Sequence, residues 1–345
     1  MKNYSLTILE IIQETVDTKT FVFKNPIFNK IKYEAGQYLT LLLRINGRKY
    51  ARPYSFSSTP LVDSLLSITV KRVSNGIVSN YIHNSFKVGD VIEVMEPKGD
   101  FLLNKKESIY SIYFWGVGSG ITPLFSLIKE VLNSRPNTVI HLIYGNKNKD
   151  STIFKTQLKK LQEEHPLVFN MSIFYSKEDT FELNDTNHKG RITSAFVANL
   201  LSQNKNTKES LHYICGPFGL KELIKNKLQD LEVPMLSIFS EDFELTIDPK
   251  ELSDVEDSKA IILLRGELFE IFVPKGRSIL DMALDQEIEI PYSCQTGNCN
   301  SCKATIKKGR LKMLGLNKGR NDLGKDEFLL CCSYPLTKEI YIEII

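Results

Sequence analysis

The sequence is poor in features that would give it a strongly charged or metal-binding surface. Its formal net charge is only +3, which gives no field strong enough to favour nucleic acid or an anionic membrane. The five histidines are scattered and show no metal-ligand spacing. The sequence contains no internal repeat and no low-complexity tract. Its first residues do not form a charged segment followed by an apolar one, so we expect no secretory signal and a cytoplasmic protein.

Long apolar runs are also scarce. One stretch, residues 108–128, carries no charge and is about as long as a membrane-spanning helix. Gly116, Gly118, Gly120 and Pro123 interrupt it, and this pattern favours a buried strand, a glycine turn and the start of a helix. We therefore expect no membrane span.

Cysteine is rare except near the C-terminus, where five of the six cysteines lie between 294 and 332. Three of them read C-x4-C-x2-C, and a fourth follows after 29 intervening residues. This is the ligand spacing of a plant-type [2Fe–2S] cluster, which transfers single electrons. Gly297 and small polar residues suit a loop whose amide groups approach the cluster. The predicted ligands are Cys294, Cys299, Cys302 and Cys332.

Two other interpretations of these cysteines are weaker. A disulfide framework suits a much smaller secreted chain, and zinc sites usually use paired C-x2-C knuckles. Cys331 and Cys332 compete for the fourth ligand position. In an extended strand, neighbouring side chains point to opposite faces, so only one of them can reach the metal. The 29-residue spacing favours Cys332, with Cys331 as a buried neighbour.

The chain is long enough for two or three domains at 345 residues. Short β-branched and aromatic runs in residues 1–105 predict a small antiparallel β-barrel. Alternating apolar strands and helices in residues 106–240 predict an α/β domain with a parallel sheet. Residues 241–258 contain eight acidic residues and one lysine, and we interpret them as a solvated linker. Residues 259–345 match a β-grasp α+β unit in which Arg265-Gly266-Glu267 is a hairpin signal between two strands.

Three motifs fit nucleotide-like ligands. Arg52-Pro53-Tyr54-Ser55 lies on a strand of the barrel, where an arginine can pair with phosphate and a tyrosine can stack on an aromatic ring. Gly76 precedes a helix N-terminus, which is a site for a pyrophosphate. Gly116–Pro123 and Cys215-Gly216-Pro217 each follow a buried strand and open a helix, at the edge of a parallel sheet where ligands bind. A buried cysteine acting as a small hydrophobe is the alternative for Cys215.

Together these strings resemble the ferredoxin–NADP reductase superfamily with a C-terminal plant-type ferredoxin domain. The order of domains is similar to that in reductase components of oxygenases such as the phenylacetyl-CoA epoxidase. The resemblance implies that Tyr54, Ser55 and Cys215 face the reacting rings. It implies a flavin-binding set of Arg52, Pro53, Tyr54, Ser55, Thr69, Lys71, Gly76, Val78 and Ser79. It implies a nucleotide-binding set of Gly118, Gly120, Thr122, Pro123, Asn146, Gly216 and Pro217.

The implied cofactors are FAD, a [2Fe–2S] cluster and a nicotinamide nucleotide. One relative in the superfamily binds FMN, but the string from Gly76 to Asn80 and the string Pro97–Phe101 resemble the members that bind FAD. Lys147 and Lys149 favour NADPH, since an adenosine 2′-phosphate attracts cations, although NADH stays possible.

The expected function is electron transfer from NAD(P)H through FAD and the cluster to a partner oxygenase. The flavin is needed between the two because nicotinamide delivers electrons in pairs and the cluster accepts them singly. A general ferredoxin or flavodoxin reductase is the alternative enzyme, and a non-catalytic iron–sulfur redox sensor is the alternative from another class. The sequence does not identify the acceptor, its substrate or the oligomeric state.

Overall fold

The computed structural model describes residues 2–26, 30–104, 109–178, 186–203, 207–316 and 319–344. The chain divides into two units, of which the first contains Met1–Ile45 and Tyr54–Asp242, and the second contains Asn46–Pro53 and Phe243–Ile345. The predicted ends of the first and last units, at residues 105 and 345, lie outside the described residues.

The N-terminal part of the chain forms a six-stranded sheet in the order β4-β3-β6-β1-β2-β5. The pairings of β1 with β2 and β6, of β2 with β5 and of β3 with β6 are antiparallel. Strands rich in β-branched and aromatic residues suit such a sheet, because these side chains pack well on a pleated surface. The elements are β1 Asn3–Thr15, β2 Thr18–Lys24, β3 Tyr38–Ile45, β4 Arg48–Ser55, β5 Leu66–Lys71, α1 Ile77–Ser85 and β6 Val91–Met95.

The second part of the first unit is a parallel sheet in the order β10-β9-β8-β7-β11-β12. All five neighbouring pairs run parallel. The elements are β7 Ser111–Val117, α2 Ile121–Ser134, β8 Val139–Asn146, α3 Lys155–Glu164, β9 Phe169–Tyr175, β10 Asn187–Lys189, α4 Ser194–Ser202, β11 Leu211–Cys215, α5 Phe218–Asp230 and β12 Ile238–Glu241. The central strand β7 is buried along most of its length, as expected for a sheet that is covered on both faces.

The second unit contains a five-stranded sheet in the order β14-β13-β19-β15-β17 and a small β16-β18 pair. Arg265 and Gly266, with φ of 53° and 86°, connect two strands whose ends pair at Leu264 and Glu267. Two consecutive positive φ values define a two-residue hairpin turn within the predicted Arg265-Gly266-Glu267 signal. Glu267 itself already pairs in the strand. The elements are β13 Ser258–Leu264, β14 Glu267–Val273, α6 Ile279–Asp285, β15 Lys303–Lys308, β16 Leu311–Met313, β17 Glu327–Leu329, β18 Ser333–Pro335 and β19 Glu339–Ile344. An antiparallel flavin-type sheet, a parallel nucleotide-type sheet and a C-terminal ferredoxin-type unit together confirm the predicted fold class.

The acidic segment 241–258 differs from the solvated linker that its composition suggested. Val255 is 2% exposed and packs with Leu314 and Tyr334, and the side chains of Ile247 and Leu252 pack against the same cluster. These apolar residues anchor the segment to the second unit, because burying them removes apolar surface from water. Among the described residues, no helix combines the length and apolar character needed to cross a membrane.

Candidate functional site

The parallel sheet changes direction between β7 and β11. From β7 the chain builds β8, β9 and β10 on one side, and then returns to place β11 and β12 on the other. The carboxyl ends of β7 and β11 are therefore neighbours, with Gly116 paired to Cys215. In open α/β sheets, ligands bind in the crevice beyond such a switch point.

Two glycine turns meet at this crevice. Gly118 adopts φ +57° and begins a short 3-10 turn that leads into α2. A Cβ on Gly120 would lie 2.1 Å from the carbonyl oxygen of Cys215, and one on Gly216 would lie 3.3 Å from the amide nitrogen of Val117. The turns pack backbone against backbone, which only glycine allows. The structure thus brings together two motifs that lie nearly one hundred residues apart.

Thr122 lies in the first turn of α2, directly after these glycines. Its side chain is 2% exposed, and its hydroxyl has no hydrogen-bond partner among the described residues. A buried hydroxyl without a partner is costly in a native protein. Since α2 begins at the switch point, this hydroxyl fits a polar group of a bound nucleotide. Pro123 occupies the same first turn, where proline is well tolerated.

Two further residues of the predicted nucleotide-binding set lie at strand or helix ends. Asn146 is the last residue of β8 and is buried. Pro217 is the N-cap residue of α5, with an extended backbone. Tyr144 on β8 donates its hydroxyl hydrogen to the carbonyl oxygen of Gly118 at 3.1 Å, which fixes the glycine turn against the sheet.

Cys215 ends β11 and is paired with Glu241, the last residue of β12. Burial raises the pKa of Cys215 well above its ordinary value, and the neighbouring Glu241 raises it further. The side chain is therefore a neutral thiol rather than a nucleophilic thiolate. This state suits contact with an uncharged ring.

Glu241 is a polar residue of this crevice that the sequence did not reveal, because it falls in the acidic run interpreted as a linker. Burial raises the pKa of its carboxyl to about 8, with a smaller contribution from Asp100. One carboxyl oxygen has no hydrogen-bond partner among the described residues. The next residue, Asp242, instead pairs with the ammonium of the buried Lys221. The strand-like pattern of residues 238–241 was the only feature of the sequence that distinguished Glu241 from the acidic residues that follow it.

The flavin-side residues on the barrel lie close to the first glycine turn. Lys71 ends β5, and its Nζ would lie 3.9 Å from a Cβ on Gly118. Its ammonium also approaches the carboxylate of Asp17 at 3.6 Å. Thr69, two residues earlier and on the same strand, shares a hydrogen bond with Thr20 at 2.8 Å. Thr69 thus supports the strand, and Lys71 lies beside the first glycine turn.

Helix α1 starts at Ile77, and its N-cap residue Gly76 provides no side-chain cap. Its first amide groups are therefore available to a phosphate, in the manner of other helix N-termini. The hydroxyl of Ser79 accepts a hydrogen bond from the amide of Val73 at 3.1 Å. Val78 is buried and anchors the helix. A Cβ on Gly76 would lie 2.8 Å from the Ser79 hydroxyl, so glycine is needed for this turn.

Strand β4 contains the remaining predicted flavin-side residues. Tyr54 is half-buried and Ser55 is buried at the end of the strand, and both belong to the first unit. Arg52 and Pro53 belong to the second unit, in which the Arg52 guanidinium donates to the carbonyl oxygen of Ala51 at 2.9 Å.

The same segment is held by Tyr292, whose hydroxyl accepts a hydrogen bond from the Ala51 amide at 2.9 Å. Tyr292 is buried and lies two residues before Cys294. Both partners belong to the second unit. The segment that carries Arg52 is therefore bonded to the start of the cysteine loop. The sequence offered no signal for this contact.

The cysteine loop already has the shape of a metal-binding loop. Gln295 and Gly297 both have positive φ, at 58° and 72°, so the backbone curls around the first cysteine. The Cys294 sulfur accepts hydrogen bonds from the amides of Thr296 at 3.4 Å and Cys299 at 3.3 Å. Amide donors to a cysteine sulfur are one of the levers that set the potential of an iron–sulfur cluster.

The fourth ligand position falls at two adjacent cysteines, Cys331 and Cys332, which are both buried. The Cys332 sulfur lies beside the cysteine loop, 3.4 Å from where a Cβ on Gly297 would stand. Its thiol donates to the carbonyl oxygen of Leu329 at 3.4 Å. Cys332 therefore stays the predicted fourth ligand, with Cys331 as its buried neighbour.

The local backbone differs from the extended strand that the sequence argument assumed, because Leu330–Cys332 forms a 3-10 turn. Residues in such a turn project about one third of a turn apart, so the alternation of side chains along a strand does not separate the two thiols. The side chains of Cys294, Cys299, Cys302 and Cys332 are buried, and their chemistry fits a [2Fe–2S] cluster, which takes four thiolates.

Three family models match consecutive parts of the chain. An oxidoreductase FAD-binding domain matches residues 5–102, an oxidoreductase NAD-binding domain matches residues 114–226, and a 2Fe-2S iron-sulfur cluster binding domain matches residues 262–336. The matches follow the order of the antiparallel sheet, the parallel sheet and the cysteine-containing unit.

Several characterised proteins are similar over nearly their whole length. The ferredoxin reductase component of 3-ketosteroid-9-alpha-monooxygenase from Rhodococcus rhodochrous is 30% identical, covering 98% of this chain and 96% of its own. One of the subunits of 1,2-phenylacetyl-CoA epoxidase from Escherichia coli K12 is 29% identical, covering 99% and 97%. The solved structure of phthalate dioxygenase reductase has a TM-score of 0.69 at 22% identity, covering 99% and 98%, and supports the fold.

Proposed function

The chain belongs to the family of oxygenase reductase components that join FAD-binding, NAD-binding and [2Fe–2S] domains, and from this premise we propose which residues carry the electrons. The domains support transfer from NAD(P)H to FAD, then to the [2Fe–2S] cluster, and then to an oxygenase component. The observation that carries the residue assignment is the meeting of two glycine turns at the switch point, because it leaves backbone and a buried hydroxyl facing one crevice.

The nicotinamide ring is held between Thr122 and Cys215. Thr122 supplies to a polar group of the nucleotide a hydroxyl that has no partner in the described part of the chain. The neutral thiol of Cys215 supplies a small contact surface beside the ring. Gly118, Gly120 and Gly216 keep side chains out of the crevice, while Pro123, Asn146 and Pro217 shape its rim. Orientation of this kind is the main contribution that a protein makes to hydride transfer.

The flavin is held by the barrel. Bound there, it supplies the chemistry that accepts electrons in pairs and releases them singly. Tyr54 stacks on its ring, Ser55 hydrogen-bonds to the ring, and Lys71 contributes a positive charge beside Gly118. The α1 N-terminus at Gly76 binds the pyrophosphate. The remaining members of the set are supporting residues: Arg52, Pro53, Thr69, Val78 and Ser79.

The cluster is held by four cysteine thiolates of the second unit. Their spacing supports Cys294, Cys299, Cys302 and Cys332 as the ligands, and the Cys332 sulfur lies near Gly297 of the loop. Cys331 is the buried neighbour. The bound cluster supplies one-electron transfer at low potential.

NADPH is the proposed electron donor. Lys147 is exposed directly after β8 and offers a positive charge to a 2′-phosphate. Lys149 follows, but its amide donates to the carboxylate of Glu178 at 2.7 Å, a feature that would suit the unmodified ribose of NADH. The ratio of kcat/KM for the two nucleotides decides between them. The Glu178→Gln variant should raise that ratio in favour of NADPH.

The acceptor is the oxygenase component of a two-component system, and the location is the cytoplasm, where thiols stay reduced and suit a cluster. The full-length similarity to reductase components of oxygenases supports this acceptor class. The relatives act in different oxygenase systems, so the substrate of the partner is not assigned.

An anaerobic titration of the purified, cofactor-loaded protein tests the proposal. NADPH should bleach the flavin absorption and the cluster absorption together, since the two centres share electrons. Bleaching by NADH alone would reject the donor assignment and keep the route. Bleaching by neither nucleotide would overturn the reductase function. Bleaching of flavin without the cluster would locate the failure at the second transfer.

A further inference from the structure

Arg320 lies over the cysteine loop although it is far from the cysteines in sequence and belongs to no predicted motif. Its guanidinium donates to the carbonyl oxygen of Gly297 and to the side-chain oxygen of Asn300, both inside the loop. The side chain is only 11% exposed. An arginine that is buried against backbone oxygens of a metal-binding loop restrains the loop and brings a fixed charge to it.

Asp322 fixes the orientation of this arginine. Its carboxylate accepts two hydrogen bonds from the guanidinium, at 2.8 Å from Nε and 2.7 Å from Nη2. A third bond comes from the Asn300 amide at 3.2 Å. A two-pronged pair of this kind sets both position and angle. The Asp322 side chain is 51% exposed, so water screens its negative charge more than it screens the buried guanidinium.

We propose that Arg320 is a positioning residue of the cluster loop whose positive charge raises the reduction potential of the [2Fe–2S] cluster. Reduction adds one electron from the flavin to the cluster, breaks no bond and makes the site more negative. A fixed cation within the loop stabilises that added charge, and net charge and hydrogen bonding are levers on the potential of iron–sulfur centres. The inference rests on the proposed cysteine ligands, because it places the cluster inside their loop.

Three variants separate the charge from the mechanical restraint. Arg320→Gln removes the charge and most of the hydrogen-bond donors of the guanidinium, and should lower the midpoint potential of the cluster. The expected shift is a change of about tenfold in the equilibrium with an external dye, which equals 59 mV for a one-electron couple. Asp322→Asn removes the opposite charge and should raise the potential. Arg320→Lys keeps the charge, so its potential should stay near that of the parent while iron is lost faster on incubation with a chelator.

Arg310 provides the matched control. It is an exposed arginine of the same unit, in the turn between β15 and β16, and Arg310→Gln removes the same charge from a solvated position. Its effect on the potential should be small, because exposed charges are screened.

The measurement is a redox titration followed by the electron paramagnetic resonance signal of the reduced cluster, with the flavin potential and iron content recorded on the same samples. Opposite shifts for Arg320→Gln and Asp322→Asn, with an unchanged flavin potential, support the inference. Shifts of the same sign, or none in variants with full iron content, overturn it. Parent protein without any cluster would instead overturn the proposed function. Cluster retained in Cys332→Ser would reject the ligand assignment alone.

Discussion

The nucleotide crevice and the cysteine loop differ in whether their polar groups are already hydrogen-bonded within the protein. In the crevice, buried polar atoms of Thr122 and Glu241 have no hydrogen-bond partner among the described residues. In the loop, amides bond to a cysteine sulfur, and Arg320 bonds to a loop carbonyl. A pocket for a ligand that enters and leaves needs groups that the ligand itself satisfies, whereas a permanently held cluster benefits from a loop whose polar groups are already satisfied.

The largest effect that would test this contrast is loss of the cluster. Cys332→Ser should leave the purified protein with little iron and sulfide, because it removes the fourth thiolate of the ligand spacing. Cys331→Ser should keep both, since Cys331 lies outside that spacing. Iron content, sulfide content and visible absorption of the two proteins, purified side by side, provide the measurement.

The reverse outcome would assign the fourth ligand to Cys331 and overturn the argument from spacing. Flavin content serves as the control in both variants, because the barrel is remote in sequence from residues 331 and 332. A protein that lost flavin as well as iron would indicate misfolding, and the serine variants would then be compared after reconstitution with iron and sulfide.

The second effect concerns the pH dependence of stability. Glu241 has its pKa raised from 4.5 to about 8 by burial, so the folded protein holds a proton that the unfolded chain releases above pH 4.5. Its contribution to stability is fully present below pH 4.5 and is lost as pH rises toward 8. Glu241→Gln should remove this loss, which amounts to at most about 5 kcal/mol. Urea unfolding at pH 5 and pH 8 provides the measurement.

Glu222→Gln is the matched control, because Glu222 is exposed on α5. It should leave the difference in unfolding free energy between the two pH values unchanged. If Glu241→Gln were no more stable than the parent at pH 8, the buried carboxyl would have a partner that holds it ionised. That result would remove Glu241 from the unsatisfied groups of the crevice.

The extent of prediction from sequence differs between the two regions for a physical reason. The glycines at 118, 120 and 216 could be recognised because turns that pack backbone on backbone require glycine at fixed positions. The first three cysteines could be recognised because one short loop fixes their spacing. Glu241 could not, because its strand is only four residues long and merges with an acidic run. The 3-10 turn at Leu330–Cys332 could not be recognised either, because the two adjacent cysteines were interpreted as part of an extended strand.

Contacts between distant segments were the other part that sequence could not provide. Arg320 and Tyr292 belong to no spacing pattern, and their roles come from hydrogen bonds to Gly297 and Ala51. In contrast, the hairpin at Arg265 and Gly266 depends only on adjacent residues, and it was predicted correctly. Local chemistry can therefore be predicted from the sequence, while tertiary partners of polar side chains cannot.

The smallest predicted effect is also the most diagnostic for the crevice. Thr122→Val replaces a buried hydroxyl that has no partner among the described residues with a methyl group of similar size. A buried polar group left unsatisfied costs about 1–3 kcal/mol, so the variant should be more stable than the parent by about 1 kcal/mol without nucleotide. The same change removes a hydrogen bond to the bound nucleotide, and kcat/KM for NADPH should fall about tenfold.

Thr138→Val is the matched control for this prediction, because the same substitution should change stability in the opposite direction there. Thr138 is also buried, but its hydroxyl donates to the carbonyl oxygen of Ile109 at 3.0 Å. The same substitution should therefore destabilise the protein there by about 1 kcal/mol and leave kcat/KM unchanged. Thermal unfolding without nucleotide and steady-state kinetics on both variants provide the measurements. Destabilisation by Thr122→Val would mean that its hydroxyl is satisfied within the protein, and the crevice would then resemble the cysteine loop in having its polar groups already paired.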